Sequence, residues 1–308
     1  MSSITPWEIA RPSVDRVLGQ FELPLESLAN GEIPAIVLKG VYDESWCQGL
    51  TRKLVNEGLL FDPNQPVPET FQQQAIPEGY YREGQNSMPK AAWTSEGPKV
   101  GRTRIDIGTS LGYRGSDKET FLQHSAETHR LFEELFATGD NPVAKIYGNL
   151  ERLSVNKRAV TAYEPDGRRY GPAIIRAHYG GYTYKPHFDS VRLREKRHDY
   201  AVSRFDHQFA GVLVLQNTQH NDRTAQCVIH RCLWTEEVDP YLKSGRFTEF
   251  SGERAVESVE VCLEPGDLYF FNTRAIHEVP GVAGHLPRIV LATFIGYSSD
   301  RDEMFVWA

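Results

Sequence analysis

The sequence predicts a mainly β protein with flanking helices that are concentrated in its N-terminal half. Six short runs rich in β-branched and aromatic residues lie between residues 173 and 297, separated by turn residues, as is typical of a sandwich or barrel. Before residue 160, two segments carry apolar residues at helical spacing. The chain shows no internal repeat, which excludes solenoids and propellers.

Length and composition favour one globular unit. The chain has 308 residues, of which 40% are hydrophobic and 24% charged, and these are ordinary values for a folded protein. We expect a single domain, with a helical elaboration and some core strands over about residues 1–160 and the β core over about residues 161–308.

Charge and cysteine usage exclude several classes of protein. The net charge of −7 opposes sequence-independent binding to a phosphate backbone, so we expect no nucleic-acid partner. The first residues lack a signal-peptide pattern, and no run of about 18 apolar residues occurs, so we expect neither secretion nor a membrane span. The four cysteines make no disulfide framework and are expected to be reduced, mostly buried thiols of a cytoplasmic protein: Cys47, Cys227, Cys232 and Cys262.

The N-terminal half alternates between helical and irregular patterns. Residues 33–39 predict a strand closed by Gly40, and Asp43 opens a helix that runs to about Val55. Residues 116–137 predict a long amphipathic helix, followed by another over about 141–155. Residues 62–101 have little periodicity, and we expect them to run over the surface or to fold over a site.

The C-terminal half predicts the strands of the β core. They are AIIRAHY, AGVLVLQN, CVIHRCLW, SVEVCLEP, GDLYFFN and RIVLATFIGY. Residues 236–257 interrupt this rhythm as a long excursion, which either shapes the mouth of a site or is a plain surface insertion.

A candidate metal site lies on these strands. His187 and Asp189 are two residues apart, so in an extended segment both side chains project from the same face. His277 ends a later apolar strand and supplies a third ligand. Two imidazoles and one carboxylate on one face of an octahedral ion leave positions open for oxygen and a cosubstrate, as non-haem Fe(II) oxygenases require.

Arg288 opens the buried-looking strand RIVLATF, eleven residues after His277. An unpaired buried guanidinium is very costly, so this position indicates a bound anion, such as a dicarboxylate cosubstrate held through the planar fork of the arginine. The alternative is an exposed strand start beside a surface acid.

These residues carry a resemblance to known families. The pattern His187-x-Asp189, His277 and Arg288 resembles the Fe(II)/2-oxoglutarate-dependent oxygenase superfamily, and YGGYTYKPHFD is similar to prolyl 4-hydroxylase sequences. Over nearly the whole chain, with gaps between about 60 and 160, the sequence resembles the cyanobacterial indole-alkaloid halogenases of the hapalindole and welwitindolinone type. The segments are PAIVLKGVYDESW, PDGRRYGPAIIRAHYGG, LYFFNTRAIHEVPG, PRIVLATFIGYS and MFVWA. This resemblance implies a double-stranded β-helix, the jelly-roll core of cupin-like proteins, with helices packed outside it.

One departure from those halogenases bears on the chemistry. They replace the metal-binding carboxylate by a small residue, which opens a position for chloride, whereas this chain keeps Asp189. The resemblance therefore implies a hydroxylase-type oxygenase that acts on a small molecule in natural-product biosynthesis. It implies the use of Fe(II), O2 and 2-oxoglutarate and the release of succinate and CO2. Hydroxylation, desaturation, cyclisation and epimerisation share the same first step, so the motif does not separate them. The alternatives are a halogenase, a protein or peptide hydroxylase, and a non-catalytic metal-binding jelly roll.

Other residues have weaker assignments. Arg176 either touches the cosubstrate or anchors a neighbouring acid, and Tyr184 either lines the site or packs within its strand. The basic group formed by Arg192, Arg194, Lys196 and Arg197 either attracts an anionic substrate or forms a solvated face. Four further histidines lack ligand spacing and are expected to be structural or on the surface: His124, His129, His220 and His230.

Overall fold

The structure is a computed structural model that describes residues 7–68, 91–95, 103–113 and 117–308. Its helices are α1 (Val14–Leu18), α2 (Pro24–Ala29), α3 (Glu44–Asn56), α4 (Lys118–Leu135), α5 (Pro142–Ser154), α6 (Asp239–Lys243) and α7 (Phe247–Glu253). Its strands are β1 (Ile36–Leu38), β2 (Ala91–Ser95), β3 (Thr103–Ile107), β4 (Arg158–Thr161), β5 (Ile174–His178), β6 (Tyr184–His187), β7 (His207–Gln216), β8 (Gln219–His220), β9 (Arg223–Thr224), β10 (Cys227–Leu233), β11 (Ser258–Val261), β12 (Leu268–Asn272), β13 (Ala275–Val279), β14 (Arg288–Tyr297) and β15 (Glu303–Trp307).

Side-chain caps begin the three long helices where the sequence predicts them. Asp43 accepts a hydrogen bond from the Ser45 backbone N–H at the start of α3, and Asn141 caps α5 in the same way. In α4 the capping residue is Asp117, whose carboxylate accepts from the Glu119 N–H. The predicted helices over 43–55, 116–137 and 141–155 are therefore confirmed, with ends that move by one or two residues.

Two sheets form the core. The larger follows the order β1-β12-β7-β14-β5-β3-β2, with β15 also paired to β14 and β4 lying parallel to β15. The smaller has the order β11-β10-β13-β6, and β8 and β9 form a separate hairpin. The remaining pairings in both sheets are antiparallel, and apolar side chains of both sheets pack into one layer between them. This is the predicted jelly-roll core with helices outside it.

Strand β7 shows why the sequences of these core strands are continuous apolar runs. Phe209, Leu213 and Leu215 pack on the helix-covered side of the large sheet, whereas Val212 and Val214 face the layer between the sheets. Successive side chains point to opposite faces, and both faces are covered. A strand of this kind lacks the polar positions that mark a half-exposed strand.

Two regions contain elements that the sequence analysis does not predict. Within the irregular segment 62–101, Ala91–Ser95 forms strand β2, which pairs with β3 and extends the large sheet. Strand β3 contains Arg104 and Asp106, which are both buried and lie 3.0 Å apart from Nη2 to Oδ2, so charged residues conceal its pattern in the sequence. Residues 69–90 and 96–101 lie outside the described residues. The excursion 236–257 contains two short helices, α6 and α7.

Two expectations about cysteines and membranes can be compared with the structure. All four cysteines are free; Cys47 and Cys227 are buried, Cys232 is partly buried, and Cys262 is exposed, contrary to the expected burial. Among the described helices, none combines the length and the apolar character that a membrane span needs.

Asp267 ties the start of β12 to the end of β1. Its carboxylate accepts hydrogen bonds from the backbone N–H groups of Gly40 (3.0 Å) and Glu264 (2.8 Å) and pairs with Lys39 Nζ at 2.6 Å. The side chain is buried, so these donors lose their partner if it is truncated.

We expect Asp267→Ala to lower the free energy of unfolding by roughly 2 kcal/mol, since two backbone donors and a half-exposed ammonium lose one acceptor. Urea denaturation followed by circular dichroism measures this change. Asp300→Ala, at an exposed turn, is the matched control and should stay within about 0.5 kcal/mol of the wild type. Equal midpoints for both variants would contradict this role of Asp267.

Candidate metal centre

Two histidines face each other across neighbouring strands of the small sheet. His187 ends β6 and is the antiparallel partner of His277 in β13, and their ring centroids lie 4.3 Å apart. His187 Nδ1 lies 2.7 Å from the Lys185 carbonyl oxygen, and His277 Nδ1 lies 2.8 Å from the Ala275 carbonyl oxygen. A carbonyl only accepts, so each Nδ1 carries the proton and each Nε2 presents a lone pair.

Asp189 completes the group from the segment that follows β6. Its Oδ2 atom lies 3.7 Å from His187 Nε2 and 3.6 Å from His277 Nε2. Its backbone N–H donates to the Thr273 carbonyl at 2.9 Å, and the Thr273 hydroxyl donates to the Asp189 carbonyl at 2.8 Å. The ligand atoms of the three residues all lie within 4.8 Å of one another. This spacing suits one metal ion at ordinary bond lengths of about 2.0–2.2 Å.

The protonation states of these residues suit a metal ion. Burial, together with the neighbouring His277, lowers the pKa of His187 to about 4. Burial alone would raise the pKa of Asp189, but the adjacent His277 and His187 and the Arg194 guanidinium outweigh it and hold the pKa below its usual range. At neutral pH the site therefore holds a neutral imidazole at His187 and a carboxylate at Asp189, which are the forms that bind metals.

A cavity between the two sheets extends from these three residues to Arg288. Its wall includes apolar side chains of both sheets, among them Val212, Phe271, Val279 and Val290. Arg288 begins β14 with only 4% of its surface exposed, which is contrary to the alternative of an exposed strand start. Among the described residues, no carboxylate forms an ion pair with it, and Tyr269 lines the cavity with it. A buried guanidinium in this setting suits an anionic ligand.

Tyr184 and Arg176 line the same cavity. The Tyr184 hydroxyl lies 3.1 Å from His178 Nε2 and 3.4 Å from Arg104 Nη1, and its ring centroid lies 5.7 Å from that of His187. Arg176 Nε lies 3.7 Å from Asp106 Oδ1. Arg176 therefore neighbours a buried acid, as one of the two alternatives expects, and its contact with the cosubstrate stays a prediction.

The basic residues that follow Asp189 have different contacts in the structure. Arg194 Nη1 donates to Asp189 Oδ1 at 2.8 Å, a contact that the sequence analysis did not identify. Arg192 instead donates to the Phe205 carbonyl at 3.2 Å, and Arg197 lies over the Tyr200 ring. The turn that returns Arg194 to Asp189 has no recognisable pattern in the sequence. Only the separation of five residues between Asp189 and Arg194 indicates that the two side chains can meet.

The other histidines stand apart from the metal centre. His124 is buried in α4, His129 Nε2 lies 2.8 Å from the Tyr170 carbonyl, and His220 is exposed. His230 Nε2 lies 3.1 Å from Glu278 Oε1. Within the described part of the chain, His187, Asp189 and His277 are the one group of three or more such residues with metal-binding spacing.

Residues 16–308 match the model of a family described as carrier-protein-independent halogenase WelO5. The chain belongs to this family. The family lies within the Fe(II)/2-oxoglutarate-dependent oxygenase superfamily, as the sequence motifs indicated, so Fe(II) is the metal and 2-oxoglutarate the cosubstrate. The donor set agrees, since two imidazoles and one carboxylate form the facial triad of such enzymes. No curated protein matches the chain at a significant level.

Several solved structures are similar at low identity. One is an N-substituted L-amino acid dioxygenase from Burkholderia ambifaria in complex with α-ketoglutarate, at 14% identity over 91% of this chain and 89% of that chain, with a TM-score of 0.48. Another is EctD from S. alaskensis with 2-oxoglutarate and 5-hydroxyectoine, at 13% identity over 91% and 77%, with a TM-score of 0.41. A third is a prolyl-4-hydroxylase from Pseudomonas putida, at 10% identity over 87% and 94%, with a TM-score of 0.36.

His178 makes stability depend on pH. Burial, and then the positive charge of Arg288, Arg104 and Arg176, lowers its pKa well below the ordinary value of 6.5, so the folded protein keeps it neutral. The unfolded chain binds a proton there below about pH 6.5, and stability therefore falls as the pH drops through that value. We expect the wild type to lose up to about 1.4 kcal/mol per pH unit relative to His178→Asn between pH 6 and 5, measured by urea denaturation at each pH. Parallel pH profiles for the two proteins would contradict a neutral, buried His178.

Proposed function

We propose that this protein is a hydroxylase-type Fe(II)/2-oxoglutarate oxygenase, which oxidises an unactivated C–H bond of a small molecule in specialised metabolism. The observation that carries the proposal is the position of Asp189, whose Oδ2 lies within 3.7 Å of the Nε2 atoms of both histidines. A halogenase of the related type needs that position for chloride. Here the carboxylate fills it.

Each residue at the site has a distinct task in this proposal. His187, Asp189 and His277 hold the iron, and Arg288 pairs with the distal carboxylate of the cosubstrate. When bound, iron and 2-oxoglutarate couple the activation of O2 to oxidative decarboxylation, with succinate and CO2 as products. Tyr184 and Arg176 line the space between these two ends, and the apolar wall limits the access of water to it.

A second chamber next to the metal centre supports a small-molecule substrate. It shares Arg176, Tyr184, His187, Asp189 and Phe294 with the cavity that leads to Arg288. Its further lining mixes apolar and aromatic side chains with charged and polar ones, which include Leu111, Tyr182, Val191, Trp307, Arg104, Lys185, Arg194, Glu195 and Gln208. A concave chamber of this mixed lining offers a small molecule both apolar contacts and hydrogen-bonding groups, through which the protein can direct one C–H bond at the reacting centre.

Halogenation is the second candidate, because the description of the family favours it. The two candidates differ in whether chloride has a coordination position in the wild-type protein. A peptide hydroxylase would be recognised by a mass increase on a peptide substrate, and a non-catalytic binding protein by metal binding without turnover.

The visible absorption of the iron chelate tests the proposed function without a known substrate. Under anaerobic conditions, Fe(II) and 2-oxoglutarate should give the weak charge-transfer band of the chelate with wild-type protein and no band with His277→Ala, because that variant lacks one of three ligands. Added chloride should leave the wild-type band unchanged, since Asp189 occupies the position that a halide needs. A band that shifts on chloride titration would favour the halogenase, and a folded wild type without any band would reject both oxygenase functions.

Replacement of Arg288 tests the cosubstrate end of the cavity. We expect Arg288→Gln to weaken 2-oxoglutarate binding about 30-fold or more, because the loss of one partner of a buried charge pair costs about 2 kcal/mol or more. Titration of 2-oxoglutarate against the chelate band at saturating Fe(II) measures the dissociation constant. Arg274→Gln, at an exposed position between β12 and β13, is the matched control and should keep the wild-type value. Normal cosubstrate affinity in Arg288→Gln would remove Arg288 from the binding site.

A further inference from the structure

The two carboxylate oxygens of Asp189 have different partners. Oδ2 faces the two imidazoles, whereas Oδ1 accepts a hydrogen bond from Arg194 Nη1 at 2.8 Å. The same guanidinium nitrogen donates to the Phe188 carbonyl, also at 2.8 Å. Arg194 thus contacts both the side chain of a metal-binding residue and the backbone immediately before it.

A short turn brings Arg194 back to Asp189. The backbone N–H groups of Arg194 and Glu195 donate to the Ser190 carbonyl at 3.1 and 3.0 Å, and the Leu193 N–H donates to the Ser190 hydroxyl oxygen at 3.0 Å. These bonds fix the direction of the chain over residues 190–195. The guanidinium is therefore placed by backbone geometry as well as by attraction to the carboxylate.

We propose that Arg194 is a positioning residue that holds Asp189 as a one-oxygen ligand. A carboxylate that bound through both oxygens would occupy two of the six positions around an octahedral ion. With two histidines and the two donor oxygens of 2-oxoglutarate, it would leave none for O2. Arg194 prevents this by engaging Oδ1. This inference rests on the metal centre of the proposed function.

The charge of Arg194 has a second consequence. Asp189 has no other cationic side chain of the described residues within ion-pair distance, apart from the two histidines. Removal of the carboxylate deprives both the metal and Arg194 of their anion. A halide is the small anion that satisfies both, so Arg194 should strengthen halide binding when position 189 is glycine.

Metal affinity separates a positioning role from a general contribution to folding. We expect Arg194→Met to weaken Co(II) binding to the metal-free protein by about 10-fold or more, as is usual for residues that orient a metal ligand. Arg194→Lys should recover part of the loss, because it keeps the charge. Arg192→Gln is the matched control in the same turn and should bind Co(II) like the wild type, since its side chain contacts the Phe205 carbonyl instead. Competition with a chromophoric chelator gives the dissociation constants, and urea denaturation of the same samples gives their stability.

The outcomes distinguish this proposal from the proposed function. A folded wild type that does not bind Co(II) would overturn the metal centre itself. Wild-type binding with an Arg194→Met value within twofold of it would overturn the positioning role alone. An Arg194→Met protein without a cooperative unfolding transition would assign Arg194 to folding and also overturn that role.

Halide binding provides an independent test of the role of Arg194. In Asp189→Gly, bromide should perturb the Co(II) absorption spectrum, and the apparent bromide affinity should fall about 10-fold in Asp189→Gly/Arg194→Met, because the cation that pairs with the halide is lost. Equal bromide affinity in the two proteins would overturn the inference that Arg194 strengthens halide binding. A lower affinity in the double variant supports it.

Discussion

The register between β6 and β13 is the constraint on which the metal centre depends. It places His187 directly opposite His277, so two rings from distant parts of the sequence share one face of the small sheet. A slip of one residue would turn one ring to the other face and remove it from the site. Thr273 fixes the third ligand by bonding to the backbone of Asp189, and its hydroxyl also lies 3.0 Å from the Gln208 carbonyl at β7. The ligand group is thereby tied to both sheets of the jelly roll.

The interior between the sheets separates two kinds of charge. At one end, a carboxylate and two imidazoles form a site for a cation. At the other, Arg288 lies buried beside His178, whose pKa is lowered first by burial and then by its cationic neighbours. A dicarboxylate with a chelating keto acid at one end matches this arrangement in both charge and direction, because one end binds metal and the other needs a cation. The apolar side chains between them add no charge, and Arg176, which also lines the cavity, lies beside the buried Asp106.

The sequence predicts most of the core because its strands are covered on both faces and read as apolar runs, as β7 and β14 show. It also predicts the metal ligands, since His187 and Asp189 are close in sequence and the strand that carries His277 is clear. It does not predict β3, because Arg104 and Asp106 neutralise each other inside the fold and look exposed in the sequence. Nor does it predict the contact of Arg194 with Asp189, which depends on the backbone hydrogen bonds of one turn. Tertiary pairing of charges, rather than local propensity, accounts for both omissions.

The local backbone explains how one fold can carry either set of metal ligands. Asp189 is held in place by two hydrogen bonds that use its own N–H and carbonyl, and neither involves its side chain. Replacement of the carboxylate by a small residue therefore leaves the position of the backbone supported. The ligand at residue 189 can change without a change in strand register, in Arg288 or in the apolar wall. A triad with a carboxylate is thus compatible with membership of a family described by halogenation, and under the proposed function the choice between the two reactions depends on the side chain at residue 189 and the cation beside it.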